Sequence, residues 1–307
     1  MKTQIPFALK LPLALLCVGL CSTSAADKNI DETAKIAPEG RVRVSNVQGS
    51  VNVTGWDRNE VRVTGELGEG VERLDIESDG RNVSIEVTHP DNGKRWDWSK
   101  NDRDAELDIR VPVRSRLEID TTSADIEVGG HTGPQRIKSV SGSVELTLSE
   151  VEAIVKSISG SIEARGRDVS IDATLESVSG DVEVIGFRGD LEMESVSGDL
   201  ELRDARLRDA DFESVSGDVD LRFTLGSNGE MEIETISGDV SLEFEGVIDA
   251  TIRVDTHSGS IDEFFGVEPE RTRRYGPGRR LRATSGEGNA DVSVSTLSGD
   301  VRNRTRD

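Results

Sequence analysis

Acidic side chains recur at two fixed positions in the second half of the sequence, and they are the residues best suited to bind a cation. The first position directly follows a Ser-Gly pair and is occupied by Asp181, Asp199, Asp218 and Asp239. The second lies two residues later and is occupied by Glu183, Glu201 and Asp220. Such carboxylate oxygens are the ligands that Ca²⁺ prefers.

These carboxylates repel one another if successive repeats stack. At a spacing of about 4.8 Å, two of them repel by about 1 kcal/mol in water. Calcium would relieve the repulsion, but so would water, salt and neighbouring hydroxyl groups. Serine stands at the first position in Ser143, Ser161 and Ser260, which favours the second explanation. We therefore assign no metal ligand and keep a calcium-stabilised structural protein as an alternative.

Serine precedes the glycine of each repeat, at Ser141, Ser159, Ser179, Ser197, Ser216, Ser237, Ser258 and Ser298. A catalytic nucleophile would be one serine beside a base, not eight equivalent ones, so this column is predicted to be structural. The three histidines, His89, His131 and His257, have no metal-ligand spacing. His257 replaces a Val or Ile that we predict to be in the core. The sequence predicts no catalytic residue, no metal site and no cofactor.

Two tryptophans are candidates for binding a partner. Trp96 and Trp98 flank Asp97 in the polar segment 89–104, which contains Pro90 and Gly93 and is predicted to be a surface loop. Exposed tryptophans stack on sugars or anchor a protein partner. Packing of the loop against the rest of the protein is the alternative.

A cluster of arginines is the second candidate. The segment 266–282 contains Pro269, Pro277 and Gly278 and is also predicted to be a loop. Its candidate partner-binding residues are Arg271, Arg273, Arg274, Arg279 and Arg280. They form a basic island on an acidic chain. Such an island suits anionic lipid, lipopolysaccharide or the carboxylates of peptidoglycan, or it neutralises the chain's own acidic ladder, which is the interpretation we favour.

The elements that position these residues are set by a repeated phrase, Ser-Val-Ser-Gly-Asp-Val. Its glycines are Gly142, Gly160, Gly180, Gly198, Gly217, Gly238 and Gly259, with spacings of 18, 20, 18, 19, 21 and 21 residues. A period near twenty with β-type residues is typical of a solenoid. Within the phrase, Val196, Gly198 and Leu200 alternate with Ser195 and Ser197, which predicts a strand with the first set inward.

The phrase also predicts a corner in every coil. Leu191 and Met193 are inward, after which Glu194 and Ser195 are predicted to be two successive outward residues, as at a bulge. The fold class is therefore an all-β, single-stranded parallel β-solenoid (β-helix) with coils of 18–21 residues.

The amino-terminal part follows the template more loosely. Strand-like runs at 61–63, 74–76, 83–87 and 107–111 suggest an irregular capping β-region over 39–113, followed by the regular solenoid over 114–307. Residues 27–38 are predicted to be a flexible amino terminus.

Residues 1–26 are typical of a cleavable signal peptide. Lys2 and Lys10 give a positively charged start, and the apolar stretch that follows at 11–20 is too short to span a membrane. Ser24-Ala25-Ala26 then offers small residues for cleavage. We expect an exported protein, periplasmic or extracellular, with no transmembrane segment after cleavage. Both cysteines lie in this leader, so disulfides and thiolate sites are excluded from the mature chain. The net charge of −22 argues against nucleic-acid partners.

The run Gly49-Ser50-Val51-Asn52-Val53-Thr54-Gly55-Trp56 and the iterated phrase resemble a widespread bacterial family. That family is known as a “putative adhesin” domain of unknown function, related to autotransporter-adhesin-head-like domains. The resemblance covers nearly the whole mature chain. It implies a β-solenoid of the cell envelope and no established activity, ligand or site residue.

These observations predict a non-enzymatic, exported, adhesin-like β-solenoid. It would serve as a binding or scaffolding surface for an envelope protein or glycan. Besides the calcium-stabilised structural protein, the alternative is a polysaccharide-acting parallel β-helix enzyme, although such enzymes usually have longer coils and a cleft built from long loops.

Overall fold

The computed structural model describes residues 29–89, 104–274 and 276–306, and within these ranges every regular element is a β-strand. The first strands are β1 (Asn29–Lys35), β2 (Arg41–Trp56), β3 (Glu60–Leu67), β4 (Arg73–Ser78), β5 (Asn82–Thr88) and β6 (Ala105–Pro112). The middle strands are β7 (Arg116–Gly129), β8 (Gln135–Ser139), β9 (Val144–Thr147), β10 (Glu152–Ser157), β11 (Ile162–Arg165), β12 (Ile171–Ser177), β13 (Val182–Ile185), β14 (Arg188–Ser195) and β15 (Leu200–Ser214). The last strands are β16 (Val219–Ser237), β17 (Val240–Glu245), β18 (Ala250–Ser258), β19 (Glu270–Arg271), β20 (Arg279–Ser285), β21 (Ala290–Ser298) and β22 (Val301–Arg306).

Successive coils stack in parallel and in register, which confirms an all-β, solenoid-like fold. Before the corner, β8, β10, β12 and β14 pair in that order, and after it β9, β11, β13 and β15 do the same. The register places like residues on top of one another, for example Ser157, Ser177 and Ser195. Each repeat therefore stacks on its neighbours, as the periodicity predicts.

The core is a column of inward aliphatic side chains, such as Leu175, Val182 and Met193, all fully buried. Glycine at the corner allows neighbouring backbones to approach. A Cβ on Gly198 would lie 2.1 Å from the carbonyl oxygen of Gly180, closer than any side chain tolerates. The inward position predicted for this glycine is confirmed.

The predicted corner was wrong by one residue. Ser195 is buried, with 4% of its surface exposed, whereas Val196 is 44% exposed. The outward pair is Val196-Ser197, not Glu194-Ser195. The reason is a hydrogen bond: the Ser195 Oγ accepts the backbone N–H of Gly198 at 2.8 Å, so the hydroxyl closes the turn from inside.

The carboxyl-terminal coil is stacked out of sequence order. Strand β21 pairs in parallel with β16 on one side and with β18 on the other. Strand β22 pairs with β17, and its Val301 bridges to Ile261 beyond β18. The last coil therefore lies between two coils that precede it in the chain. Beyond β18, strand β20 pairs in antiparallel orientation and ends the stack on that side.

The amino-terminal end has a comparable arrangement. Strand β2 lies between β7 on one side and β5 and β6 on the other, all parallel to it. Outside these, β4 is antiparallel to β5, β3 to β6, and β1 to β3. Antiparallel strands thus cover both ends of the parallel stack, where open edges would invite pairing with other chains.

The segment 266–282 is not a loop throughout, as the sequence suggested. It contains β19 and the first residues of β20, including Arg279, Arg280 and Arg282. Pairing with the edge of β18 orders these residues, since that edge offers free backbone hydrogen-bonding groups.

Candidate functional site

An unbroken row of exposed aliphatic side chains runs along the corner of the stack. It consists of Val140, Ile158, Val178, Val196, Val215, Ile236 and Leu297, each 41–54% exposed. We call it the aliphatic row. Its members come from seven consecutive coils, and the register places His257 next to Leu297 at one end. The sequence predicted His257 and the members of this row to be core residues, and the corner conformation turns them outward instead.

A row of carboxylates runs beside it. Glu176, Glu194, Glu213 and Glu234 each lie two positions before a member of the aliphatic row, and we call them the acidic row. Glu176 is paired with Lys156 Nζ at 2.5 Å. The other three form no ion pair with any described residue. Burial, hydrogen bonding with Glu192 and the charges of neighbouring carboxylates raise the pKa of Glu194 above its usual 4.5.

The acidic row and the members of the aliphatic row from Ile158 to Leu297 form the walls of a groove of about 820 Å³. Its floor is made of the buried Ser and Thr residues that lie between them in sequence, such as Ser195 and Thr235. Lys156 lies at one end. Thr272 and Gly278, from the segment between β19 and β20, close the other. One wall is apolar and the opposite wall is anionic.

The floor changes character along its length. In the coils of Ser157, Ser177 and Ser195, the hydroxyl accepts the N–H of the corner glycine. Thr235, Thr256 and Thr296 occupy this position in the last three coils of the stack, and their buried hydroxyls have no hydrogen-bond partner among the residues that the structure describes. In two of these coils the glycine N–H donates to a serine carbonyl of the adjacent coil instead. The floor therefore has unused hydrogen-bonding capacity at that end.

The acidic row is one margin of a larger anionic surface. The outward side chains of β12, β14, residues 209–213 and residues 230–234 are largely carboxylates, and we call this surface the acidic face. Its further members are Asp172, Asp190, Glu192, Asp209, Asp211, Glu230 and Glu232. Arg208 pairs with the three aspartates at its far margin, Asp172, Asp190 and Asp209. Burial and the charges of Glu232, Glu192 and Glu234 raise the pKa of Asp211.

The aspartate ladder that suggested calcium has a structural role in the corner. The Oδ1 of Asp181 accepts the backbone N–H of Asp199 at 3.0 Å, and Asp199 and Asp218 accept the N–H of the next coil in the same way. Asp239 and Asp300 continue the ladder across the last coils. Within the described ranges, no group of three or more His, Cys, Asp and Glu side chains is arranged to hold a metal ion.

The predicted partner-binding residues are only partly described. Trp96 and Trp98 lie outside the described residues. Arg280 pairs with Asp255 at 2.5 Å on the neighbouring strand, and Asp255 is not a member of the acidic ladder that these arginines were expected to neutralise. Arg271, Arg273 and Arg274 are exposed, and Arg279 is half-buried beside Thr256.

The remaining hydroxyl and imidazole groups do not form an accessible catalytic arrangement in the part of the chain that the structure describes. The Ser141 column is exposed, and Ser141 and Ser123 hydrogen-bond each other at 3.2 Å. His131 is fully buried, with Nε2 3.3 Å from the Ser115 Oγ. Burial lowers the pKa of His131 to about 4. This buried, neutral imidazole packs against a turn.

Sequence reasoning missed the groove. The signal that would have found it is the Ser-x-x-Gly spacing, in which a serine hydroxyl closes a turn onto an N–H three residues ahead. Such a serine must face inward, and the residue after it must then face outward. Read in this way, the seven Val, Ile and Leu residues that follow the serine or threonine predict an exposed apolar row.

The fold and the groove define an all-β, solenoid-like protein with a lengthwise surface groove. Residues 40–303 match the family described as Toastrack DUF4097, and the chain belongs to this family. The family is one of unknown function, and the resemblance inferred from the repeated phrase is confirmed. No curated protein matches the chain.

Solved structures are similar to the chain at low sequence identity. A “putative lipid binding protein” from Parabacteroides distasonis ATCC 8503 is 15% identical with a TM-score of 0.50, covering 89% of this chain and 96% of its own. A “putative adhesin” from the same organism is 12% identical with a TM-score of 0.47, covering 90% and 97%. A “putative adhesin” from Bacteroides fragilis NCTC 9343 is 11% identical with a TM-score of 0.41, covering 91% and 98%. Over the described residues, no helix has the length and apolar character needed to cross a membrane.

Proposed function

We propose that this protein is an exported, non-enzymatic binding module of the bacterial cell envelope, and that its ligand lies lengthwise in the groove. The ligand is an elongated molecule with an aliphatic edge and a cationic edge. The observation that carries the proposal is the unbroken aliphatic row, which faces a row of carboxylates across the groove.

The aliphatic row is difficult to explain by stability alone. A side chain that is 44% exposed, such as Val196, gains only part of the free energy of full burial. Scattered exposed apolar residues are ordinary, but a contiguous exposed row on a soluble protein marks a surface that binds something. The chain also repeats this feature in seven coils, where a polar residue would keep the same turn.

Export is supported by residues 1–26, which have the charge, apolar stretch and small residues of a signal peptide. A solenoid surface also suits an extended ligand, because the coils repeat the same side chains at a constant spacing. Arg271 and Arg273 lie close to the groove end formed by Thr272, and we propose them as secondary contacts. Trp96 and Trp98 keep their predicted role as partner-binding residues.

The test is methyl NMR on protein labelled at Val, Ile and Leu. Fractionated envelope components (lipid, peptidoglycan fragments and small cationic metabolites) are added to the wild type and to Val196→Thr/Val215→Thr. We expect one fraction to shift the methyl signals of the aliphatic row, and the double variant to lose most of this binding.

The matched control is Val151→Thr/Val247→Thr, because both valines are exposed, at 58% and 99%, and neither lines the groove. This variant should bind as the wild type does. The proposal is overturned if no fraction shifts the signals of the row, or if both double variants bind as tightly as the wild type.

A further inference from the structure

We infer that the groove ligand is a linear aliphatic polyamine, because an exposed aliphatic row runs parallel to an acidic row with the same coil-to-coil repeat, and three of the four carboxylates in that row have no ion-pair partner among the described residues. This inference rests on the proposed function and deepens it by naming the ligand class. A bound polyamine would lie with its methylene segments against the aliphatic row and its ammonium groups against the acidic row.

The charge of the groove requires a cation. Glu194, Glu213 and Glu234 lie in three consecutive coils and pair with no cation among the described residues. Cations of the chain itself mark the limits of this stretch: Lys156 pairs with Glu176 at one end, and Arg280 pairs with Asp255 at the other. The unpaired stretch thus offers three carboxylates in a line. A ligand with three or four ammonium groups would match it.

The spacing fits a polyamine. Stacked coils repeat about every 4.8 Å, so neighbouring carboxylates of the acidic row repeat at that interval. In an extended chain, three methylenes place successive nitrogens about 5 Å apart, given ordinary bond lengths. In spermidine and spermine, ammonium groups joined by three methylenes would face successive glutamates. The four-methylene spacer is longer by about 1 Å, which the rotatable glutamate side chains can take up.

The opposite wall fits the methylene segments. Val178, Val196, Val215 and Ile236 present branched side chains over the same coils. An aliphatic chain lying against them removes apolar surface from water on both sides. A compact cation, such as a metal ion or a single ammonium, would leave this wall exposed.

An extended peptide fits less well. Its side chains on one edge repeat about every 6.6 Å, twice the rise per residue, and would lose register with the acidic row. Its backbone N–H and C=O groups would also need partners. The corner backbones that border the groove already bond to the adjacent coils, as with Ser197 N–H to the Val178 carbonyl.

A lipid with an anionic headgroup also fits less well. Its acyl chain would suit the aliphatic row, but it would cover the glutamates without supplying a cation, and burying unpaired charges is costly. Its phosphate or carboxylate would in addition be repelled by the acidic face. The ligand that satisfies both walls is a cationic aliphatic chain.

The experiment is calorimetric titration of the mature protein with spermine and spermidine. We expect saturable binding with a stoichiometry near one. The variant Glu213→Gln/Glu234→Gln should bind spermine at least tenfold more weakly, and Val196→Thr/Val215→Thr should also bind it more weakly.

The matched control is Asp209→Asn/Glu230→Gln. It changes the charge by the same amount in the same two coils, on the acidic face but away from the groove. In the wild type the Asp209 Oδ1 accepts the N–H of Glu230 at 3.2 Å, and the amide oxygen introduced by Asp209→Asn would still accept the backbone N–H at position 230. The control should keep its affinity within about twofold.

Three outcomes would overturn the inference, and they separate it from the proposed function. Equal weakening in the groove variant and the control would mean that spermine binds the acidic surface without a site. If spermine does not bind but a lipid or peptide fraction shifts the aliphatic row, the ligand class is wrong and the groove function stands. If neither spermine nor any fraction binds, both fail.

Discussion

At the residue scale, the buried hydroxyl of the corner sets the orientation of everything around it. Ser195 is 4% exposed, and its Oγ accepts the Gly198 N–H at 2.8 Å. We expect Ser195→Ala to lower the free energy of unfolding by about 1–2 kcal/mol, because it leaves that buried N–H without a partner. Denaturant unfolding followed by circular dichroism measures the change.

The control for this prediction is Thr296→Val. Thr296 occupies the same position of its coil and is 4% exposed, but its hydroxyl has no hydrogen-bond partner within the described part of the chain. Removing that hydroxyl should change stability by less than about 0.5 kcal/mol, or increase it. Equal destabilisation by the two substitutions would show that burial alone, and not the hydrogen bond, explains the serine.

The same residues show what the sequence could and could not predict. Period-two alternation correctly places Gly198 and Leu200 inward, because the alternation resumes after the outward pair Val196-Ser197. It fails at Ser195 and Val196, because hydrophobicity ranks valine as the buried residue, and only the hydrogen bond to Gly198 reverses that order. A local polar interaction determined which residue faces the solvent, and the groove followed from it.

At the scale of elements, the out-of-order carboxyl-terminal coil should control the stability of that end. Coils of a solenoid contact only their nearest neighbours. Strands β18 and β20 are held on the stack through β21 and β22, which separate them from β16 and β17. We expect a chain truncated after Ser285 to lose amide-exchange protection in β18 and β20, while β8, β10, β12 and β14 keep theirs.

The full-length variant Val294→Ala tests the same dependence without removing a strand. Val294 is buried, at 1% exposure, and it pairs with Val254 of β18 and Ile233 of β16. Its cavity should lower protection in β18 and β20 more than in β12 and β14. Unchanged exchange in β18 and β20 in both proteins would contradict the proposed dependence on the last coil.

Periodicity could not predict this order of coils. The repeated phrase shows that each coil accepts a neighbour of the same pattern, but the phrases around Gly238, Gly259 and Gly299 are nearly equivalent partners. Nothing in their spacing distinguishes stacking in sequence order from insertion of the last coil. The antiparallel strand β20 fills the edge that the earlier coil would otherwise leave open.

At the scale of the whole molecule, the acidic face makes stability depend on pH. The pKa values of Glu194 and Asp211 are raised by burial and by neighbouring carboxylates. The folded protein holds these protons to a higher pH than the unfolded chain does. Their stabilising contribution is therefore complete below the ordinary values of 4.5 and 3.8 and is lost as the pH rises through the raised values.

Other carboxyls act in the opposite direction. Hydrogen bonds donated by Asn289 and nearby backbone N–H groups lower the pKa of Asp249, and hydrogen bonds from Ser260 lower the pKa of Asp300. The stability that these two aspartates contribute is therefore lost as the pH falls through the lowered values.

The raised pKa of Asp211 can be tested by substitution. We expect Asp211→Asn to raise the melting temperature near pH 7, with the gain vanishing as the pH falls toward 3.8. Glu127→Gln, on β7 outside the acidic face, should show no such gain, and a gain that persists at low pH would refute the electrostatic cause.

Charge is distributed unequally between the two sides of the corner. On the strands after the corner, carboxylates alternate with arginines: Arg165 pairs with Glu145 at 2.5 Å, Arg203 with Glu183 at 3.2 Å, and Arg222 with Glu243 at 3.2 Å. On the strands before it, Glu192, Glu194 and Asp211 have no such partner among the described residues. The chain thus balances its charge on one side and leaves it unbalanced beside the groove.

This asymmetry predicts a conflict between stability and binding. Glu192→Arg should raise the melting temperature by a few degrees, since an exposed ion pair contributes about 1 kcal/mol or less, and it should weaken spermine binding. Glu183→Arg, which instead breaks an existing pair with Arg203, should not stabilise the protein. Proteins keep such unfavourable charges where a ligand needs them. Glu192 hydrogen-bonds Glu194 of the acidic row, so if Glu192→Arg stabilises the protein and leaves spermine affinity intact, the unbalanced charge beside the groove needs another explanation.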